Sequence, residues 1–174
     1  MLTVRMFHPH EWPLYRDLRL AALRDAPDAF GSTLAREEPY SDDEWLTRLT
    51  HGVSSAHERP LVAELDGRPV GLCWARIDPS DPDTARLYSV WVHPDARRHG
   101  IAQGLLDAAM RWARETGART MTLTVSAEPA ARMYRRNGFA ELGAPHPLRE
   151  GSDVMQQAMQ CDLTVTADAD ASDR

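Results

Sequence analysis

The sequence contains no lysine, so all 20 of its basic residues are arginine. This absence excludes a Walker-type phosphate loop, which places a lysine at the phosphates, and Schiff-base catalysis, which needs a lysine amine. Cysteine is scarce as well. The two residues, Cys73 and Cys161, lack the spacing of metal ligands, and we interpret both as packing residues that form no disulfide in a cytoplasmic protein. We therefore expect no metal site.

Long apolar runs are also absent. No stretch approaches the ~20 apolar residues that a membrane helix needs, and the first residues, MLTVRMFHPHEW, lack the pattern of a signal peptide. We therefore expect a cytoplasmic protein that does not bind membranes. The formal net charge of −6 disfavours nucleic-acid binding, which needs a basic surface, and weakly favours a cationic amine as ligand.

Length and composition are typical of one soluble domain. The chain has 174 residues, 43% of them hydrophobic, which is enough for one core and too few for two comfortable domains. We expect the domain to span residues 1–163. The tail, residues 164–174 (TVTADADASDR), is short, polar and without anchors, so we expect it to be disordered. The sequence leaves open whether the protein is a monomer or a homodimer.

The order of the predicted elements indicates an α/β fold. Strands are predicted at residues 2–7, at 60–78 as a hairpin around Asp66 and Gly67, and at 85–92, 119–126, 139–142 and 153–163. Helices are predicted at 12–24, 42–51, 100–116 and 129–137, and residues 28–41 are predicted to be irregular. Antiparallel strands come first and a strand–helix–strand crossover follows. We therefore expect a mixed central sheet of about six to seven strands with helices on both faces.

The segment VWVHPDARRHGIA, residues 90–102, has a chemical signature. A strand ends at a proline, passes through basic residues and starts a helix at Gly100. Backbone amides in such a turn converge on an anion, and the helix N-terminus adds partial positive charge. Gly100 and Ala102 are small enough to let a phosphate approach the backbone. Taken alone, the segment from Arg97 to Gly100 is explained equally well as a solvated turn before a helix.

Its neighbours make the pattern specific. With VxVxP before it, a helix after it and the pair Gly138-Phe139 further along, the segment resembles motif A, Q/RxxGxG/A, of the GNAT superfamily of acetyl-CoA-dependent N-acetyltransferases. The resemblance implies the GNAT fold, with acetyl-CoA as co-substrate. It also implies that the strand end contacts the pantetheine arm and that the turn contacts the pyrophosphate. The residues so implied are Val90, Trp91 and Val92 in the strand and Arg97, Arg98, His99, Gly100, Ile101, Ala102 and Gln103 in the turn.

A second segment, AARMYRRNGF at residues 130–139, resembles motif B of the same family, AxxxYxxxGF. Tyr134 takes the position of the tyrosine that often protonates the departing CoA thiolate, while an aromatic packed on a buried helix face is the alternative. The resemblance further implies that the backbone amide of Val92 polarises the thioester carbonyl. In the preceding loop the family's asparagine position falls on Ala127, and the hydroxyl of Ser126 is expected to substitute for it.

The resemblance does not assign the general base. Many relatives carry a glutamate on the fourth strand, whereas the strand here, ARLYSVWV, has no carboxylate. Glu37 and Glu38 are candidates because the region between the first helices usually borders the acceptor pocket in this fold; a solvated pair is the alternative. His93, in the phosphate-proximal turn, and His146, in a proline-flanked loop, are weaker candidates.

The resemblance therefore implies direct transfer of an acetyl group to a primary amine, since neither motif positions a cysteine as an acyl carrier. We expect the acceptor to be a small molecule, such as a polyamine, an amino acid or an aminoglycoside-like antibiotic. Acetylation of peptide or protein N-termini is the alternative. A domain that binds acyl-CoA as a sensor, with little turnover, is a third. The sequence identifies neither the amine nor the use of other acyl groups.

Overall fold

The computed structural model describes residues 1–165, so most of the predicted disordered tail, from residue 166 onward, lies outside the described residues. The strands are β1 (Leu2–Met6), β2 (Glu58–Leu65), β3 (Arg68–Ile77), β4 (Thr84–Val92), β5 (Thr120–Val125), β6 (Ala140–Glu141), β7 (His146–Pro147) and β8 (Met155–Asp162). The helices are α1 (Trp12–Asp25), α2 (Leu34–Glu37), α3 (Asp42–Ser54), α4 (Ile101–Thr116) and α5 (Glu128–Arg136).

The strands form one mixed sheet in the order β1-β2-β3-β4-β5-β8-β6, with β7 also pairing with β8. The pairing of β4 with β5 is parallel, and the other strand pairs are antiparallel. The predicted α/β class and the β4-α4-β5 crossover are confirmed. The sheet has eight strands rather than six or seven. The strand predicted at 139–142 is the two-residue β6, and the strand that was not predicted is β7, another two-residue strand that pairs with β8. Likewise, α2 interrupts the segment predicted to be irregular.

Helices cover both faces of the sheet, as predicted. On one face α4 and α5 bury an apolar core that includes Leu105, Ala109 and Tyr134. On the other face α1 and α3 pack through Tyr15 and Trp45 in a second cluster. Within residues 1–165, no helix is long and apolar enough to span a bilayer.

The close approach of α3 to the sheet depends on a glycine. A Cβ atom on Gly52 would lie 2.2 Å from the Cζ2 atom of Trp74, a side chain only 5% exposed on β3. The absence of a side chain at this position therefore lets α3 lie directly on the indole. This contact fixes one wall of the core beneath the centre of the sheet.

The sheet opens between its fourth and fifth strands. Residues Thr84–Arg86 of β4 pair with Thr120–Thr122 of β5, and no further pairs between these strands occur in the described part of the chain. The two strands therefore separate toward their carboxyl ends. In α/β sheets, the carboxyl ends of parallel strands are where ligands usually bind.

Candidate active site

The separation of β4 and β5 produces a cavity of about 230 Å³ that is lined from both faces of the sheet. Tyr134 of α5 lines it from one face, and Arg19 of α1 lines it from the other. The loop after α1 closes the Arg19 side through Phe30 and Gly31. The strand residues that line the cavity are Leu87, Tyr88, Ser89 and Val90 of β4, Leu123, Thr124 and Val125 of β5, and Gln156 of β8. The cavity thus connects the two sides of the sheet.

A bulge in β4 explains why the strands part. Ser89 has a φ of 59°, in the left-handed region that non-glycine residues rarely occupy. The register between β3 and β4 shifts here, between Leu72 and Trp74. A bulge bends its strand and increases the local twist, so β4 turns away from β5 beyond this residue. No sequence pattern predicts a left-handed serine, and our sequence analysis missed it.

The backbone of Val92 faces the gap. The amide of His93 donates to the carbonyl of Val70 at 2.7 Å, so His93 is a hydrogen-bonded partner of β3. Because such pairs alternate along antiparallel strands, Val92 directs its N–H and C=O away from β3. By the same alternation, the backbone N–H and C=O groups of Trp91 point toward Leu72 of β3. The predicted backbone contacts therefore remain possible for Val92, and for Val90, which lines the cavity, but not for Trp91.

The turn before α4 has the geometry of an anion site. Arg98 and Gly100 have φ values of 67° and 73°, and helix α4 begins at Ile101. Left-handed residues next to right-handed ones turn successive N–H groups toward one point, and the helix N-terminus reinforces their charge. A Cβ atom on Gly100 would meet nothing within 4 Å, so this side of the turn is open.

Three side chains predicted at the phosphates have protein partners instead. The guanidinium of Arg97 pairs with Asp25 and donates from Nε to the carbonyl of Val92 at 3.2 Å. The Nδ1 atom of His99 lies 2.9 Å from the carbonyl of Arg97. The amide of Gln103 exchanges hydrogen bonds with Asn137 at 2.7 and 2.9 Å. These contacts brace the turn, and leave its backbone amides to face an anion.

Asp25, which the sequence analysis missed, joins α1 to this turn. Its carboxylate accepts a hydrogen bond from the indole Nε1 of Trp91 at 2.9 Å as well as pairing with Arg97. The indole hydrogen bond is the main reason that the pKa of Asp25 lies below its ordinary value, and the guanidinium of Arg97 adds to it. The end of α1, the end of β4 and the turn are therefore held as one unit.

Tyr134 meets the requirements for a proton donor. Its side chain is 6% exposed and packs edge-on against Phe139 at 5.6 Å between ring centroids. Burial raises its pKa, so the hydroxyl stays protonated at neutral pH. Among the described residues, Trp45 Nε1 is the only fully buried side-chain nitrogen or oxygen without a partner. The Tyr134 hydroxyl makes no hydrogen bond within residues 1–165, yet it is not among these buried atoms without a partner. Its oxygen is therefore accessible, and the accessible space beside it is the cavity that Tyr134 lines.

Glu37 lies beside the cavity but does not line it. Its carboxylate is 2% exposed and accepts hydrogen bonds from Nε and Nη2 of Arg19 at 3.0 and 2.8 Å and from Arg48 at 2.8 Å. Although burial raises its pKa, hydrogen bonds from Arg19, Ser32 and Arg48 together with the charge of Arg19 outweigh burial and lower the pKa to about 2. A carboxylate this acidic and this engaged accepts protons poorly at neutral pH. The contacts favour a structural role.

The other base candidates lie outside the cavity. Glu38 is exposed, and its carboxylate approaches Arg24 at 4.0 Å. The ring of His93 stacks edge-on against Trp91 and accepts a hydrogen bond from the amide of Asp95. His146 is exposed on β7, where its Nε2 atom lies 3.0 Å from the side-chain amide of Gln156, a residue that does line the cavity.

Two contacts hold the loop that closes the cavity. The hydroxyl of Ser126 donates to the carbonyl of Asp28 at 2.6 Å, so this predicted cofactor ligand instead ties β5 to the loop. The guanidinium of Arg149 donates to the carbonyls of Pro27 and Phe30 at 3.2 and 2.7 Å. No pattern in the sequence indicated this role for Arg149. Within residues 1–165, no group of three or more His, Cys, Asp or Glu side chains is placed to hold a metal ion.

Comparison with known proteins gives one family. The family model described as the acetyltransferase (GNAT) family matches residues 13–139. A mycothiol acetyltransferase of Saccharomonospora viridis is 30% identical over 100 residues, which cover 53% of this chain and 33% of that protein. This chain therefore spans about a third of the length of that curated relative.

Solved structures share the fold. An acetyltransferase of the GNAT family from Streptococcus pneumoniae superposes with a TM-score of 0.77 at 21% identity, covering 93% of this chain and 99% of that one. Spermidine N-acetyltransferase from Vibrio cholerae, in complex with CoA and spermine, superposes with a TM-score of 0.73 at 19% identity, covering 94% and 96%. At these identities the likeness concerns the fold, which does not determine a substrate.

The role of Glu37 can be tested through stability. Glu37→Gln leaves the buried Arg19 without its counter-charge, so we expect the free energy of unfolding at pH 7 to fall on the order of 3 kcal/mol. Because the folded-state pKa is lowered from 4.5 to about 2, this stabilisation is complete above pH 4.5 and is lost as the pH falls toward 2. The difference from wild type should therefore shrink across that window in urea unfolding.

Glu38→Gln is the matched control for this measurement. It removes the neighbouring, exposed carboxylate, and we expect stability to change by less than about 0.5 kcal/mol. Wild-type stability in Glu37→Gln together with lost activity would contradict the structural role and restore Glu37 as a base.

Proposed function

This chain belongs to the GNAT acetyltransferase family, and we propose that it transfers an acetyl group from acetyl-CoA directly to a primary amine of a small molecule. The main support for this proposal is the cavity that crosses the sheet between Tyr134 and Arg19. Because its walls belong to opposite faces, two substrates can enter from opposite sides and meet inside. Its volume of about 230 Å³ suits a thioester and a small amine better than a folded partner.

The residues present fit acetyl-CoA. The open turn at Arg98 and Gly100 offers backbone amides for phosphates. Val92 directs its N–H away from β3, toward the gap. Arg97, His99 and Gln103 are engaged with protein groups, so we assign phosphate binding to the backbone of residues 98–103 rather than to these side chains.

Acetyl-CoA supplies the acetyl group as an activated thioester. The N–H of Val92 donates to the carbonyl oxygen of that thioester and stabilises the negative charge that develops on it. Neither cysteine lines the cavity among the described residues, and burial raises the pKa of Cys73 and raises that of Cys161 to about 11. Neither is a thiolate at neutral pH, which supports direct attack by the amine.

Water accepts the proton that the amine must lose. No Asp, Glu or His side chain lines the cavity within residues 1–165, so we assign the role of proton acceptor to water. The cavity does contain hydroxyl and amide groups that can hold water, from Tyr88, Ser89 and Gln156. Burial raises the pKa of Tyr88 to about 12, so this hydroxyl is neutral as well. Tyr134 then donates its proton to the departing thiolate.

The phosphate turn provides the first test. Acetyl-CoA should raise the melting temperature of the wild-type protein, because a ligand that binds only the folded state shifts unfolding by mass action. Gly100→Glu adds a negative charge to the turn and should abolish that rise at millimolar acetyl-CoA. Gly100→Ala is the matched control, since it has the same cost at positive φ without the charge, and should keep most of the rise. No rise with the wild-type protein would remove the basis of the proposal.

Tyr134→Phe tests the proton donor. The substitution keeps the ring and removes the hydroxyl, and general acid catalysis is worth roughly 10²- to 10⁴-fold. Allowing for partial rescue by water, we expect turnover to fall at least about tenfold with nearly unchanged acetyl-CoA binding. Tyr40→Phe, at a tyrosine outside the cavity lining, should retain activity within about threefold. Wild-type turnover in Tyr134→Phe would mean that another group protonates the thiolate.

A further inference from the structure

The wall of the cavity has a charge opposite to that of the whole chain. The protein carries a formal net charge of −6, which by itself favours cationic ligands. Among the described residues, however, the cavity is lined by one ionised side chain, and it is the cation Arg19. A substrate in the cavity is in direct contact with this charge, whereas the surface carboxylates are screened by solvent.

Arg19 is buried and held in one orientation. Its side chain is 6% exposed, its Nε and Nη2 atoms donate to Glu37, and its Nη1 atom donates to the hydroxyl of Ser89 at 3.2 Å. The guanidinium also lies over the ring of Phe30 at 5.1 Å from the centroid. Arg19 therefore presents a fixed charge at the bulge of β4, beside the point where β4 and β5 separate.

Glu37 does not fully neutralise this charge. The same carboxylate also accepts a hydrogen bond from Arg48 at 2.8 Å, so two guanidiniums share one carboxylate. The cluster of Arg19, Glu37 and Arg48 therefore has one excess positive charge. These contacts use three N–H groups of the Arg19 guanidinium, which has more than three. The Nη1 atom beside Ser89 therefore has a second N–H group that can donate to a ligand.

We propose that the acceptor is an amine that also carries a small anionic group, a carboxylate as in an α-amino acid, and that Arg19 and the Ser89 hydroxyl bind this group. The proposal rests on the proposed function and narrows its substrate class. A charge-assisted hydrogen bond from a buried arginine stabilises a carboxylate and fixes its orientation. A polyamine or an aminoglycoside would instead bring several positive charges to a wall that already holds one.

The test uses the wild-type protein and matched amines. Each of several α-amino acids is compared with its amide and with its decarboxylated amine, alongside spermidine, by release of the CoA thiol. Hydrogen bonds to charged groups are strong enough that we expect kcat/KM for the best amino acid to exceed that of its amide at least about tenfold, with spermidine slower still.

The outcomes separate the two proposals. Equal or better use of the amide, or preferential use of spermidine, would overturn this inference and leave the acetyltransferase intact. Thiol release that no amine in the panel stimulates would overturn the proposed function together with this inference.

A charge variant on the cavity wall gives an independent check. Arg19 variants are unsuitable alone, because they leave Glu37 with one partner and endanger folding. Gln156→Glu adds a negative charge to the cavity lining at nearly constant size, and should lower the ratio of amino-acid to spermidine kcat/KM at least about tenfold. Gln160→Glu, on the same strand but outside the cavity lining, makes the same change in net charge and should leave the ratio unaltered. An unchanged ratio in Gln156→Glu, or the same change in Gln160→Glu, would overturn the inference.

Discussion

The separation of β4 from β5 determines where the cavity lies and which residues line it. The strands pair in parallel over Thr84–Arg86 and Thr120–Thr122, and the bulge at Ser89 then turns β4 away. Beyond that point the backbone groups of β4 that face β5 have no strand partner among the described residues. Unpaired backbone groups are costly unless a ligand or water satisfies them. The gap therefore weakens the sheet and at the same time creates the cavity that we propose as the binding site.

Charged contacts from α1 hold this gap in place. Arg19 reaches Ser89 at the bulge, and Asp25 reaches the turn that follows β4 through Trp91 and Arg97. Each of these contacts joins a side chain of α1 to β4 or to the turn after it, so together they couple the position of α1 to that of β4. The same helix that supports the strand thus sets the charge of the cavity wall. One group of residues therefore contributes both to the packing of α1 on the sheet and to the charge of the cavity wall.

Local patterns predicted the elements that border the cavity. The helical period, Gly100 and the proline after β4 mark the turn that precedes α4, and Val90 and Tyr134, which the resemblance implied as site residues, line the cavity. The ion pairs join residues that lie far apart in the chain, and the local sequence around one residue of a pair does not indicate which residue is its partner. One signal was available, since Arg19 lies on the apolar face of α1 where a charge needs a counter-charge. The two residues of β7 are too few to show the alternation that predicts a strand, and β7 was missed.

In the proposed mechanism both substrates occupy one cavity that crosses the sheet, and the acetyl group passes directly from acetyl-CoA to the amine. Initial rates measured while acetyl-CoA and an accepted amine are varied together test this mechanism. We expect intersecting lines in double-reciprocal plots, because both molecules must be bound before transfer. Parallel lines would indicate that CoA leaves before the amine binds, which requires a covalent acetyl-enzyme and would contradict direct transfer.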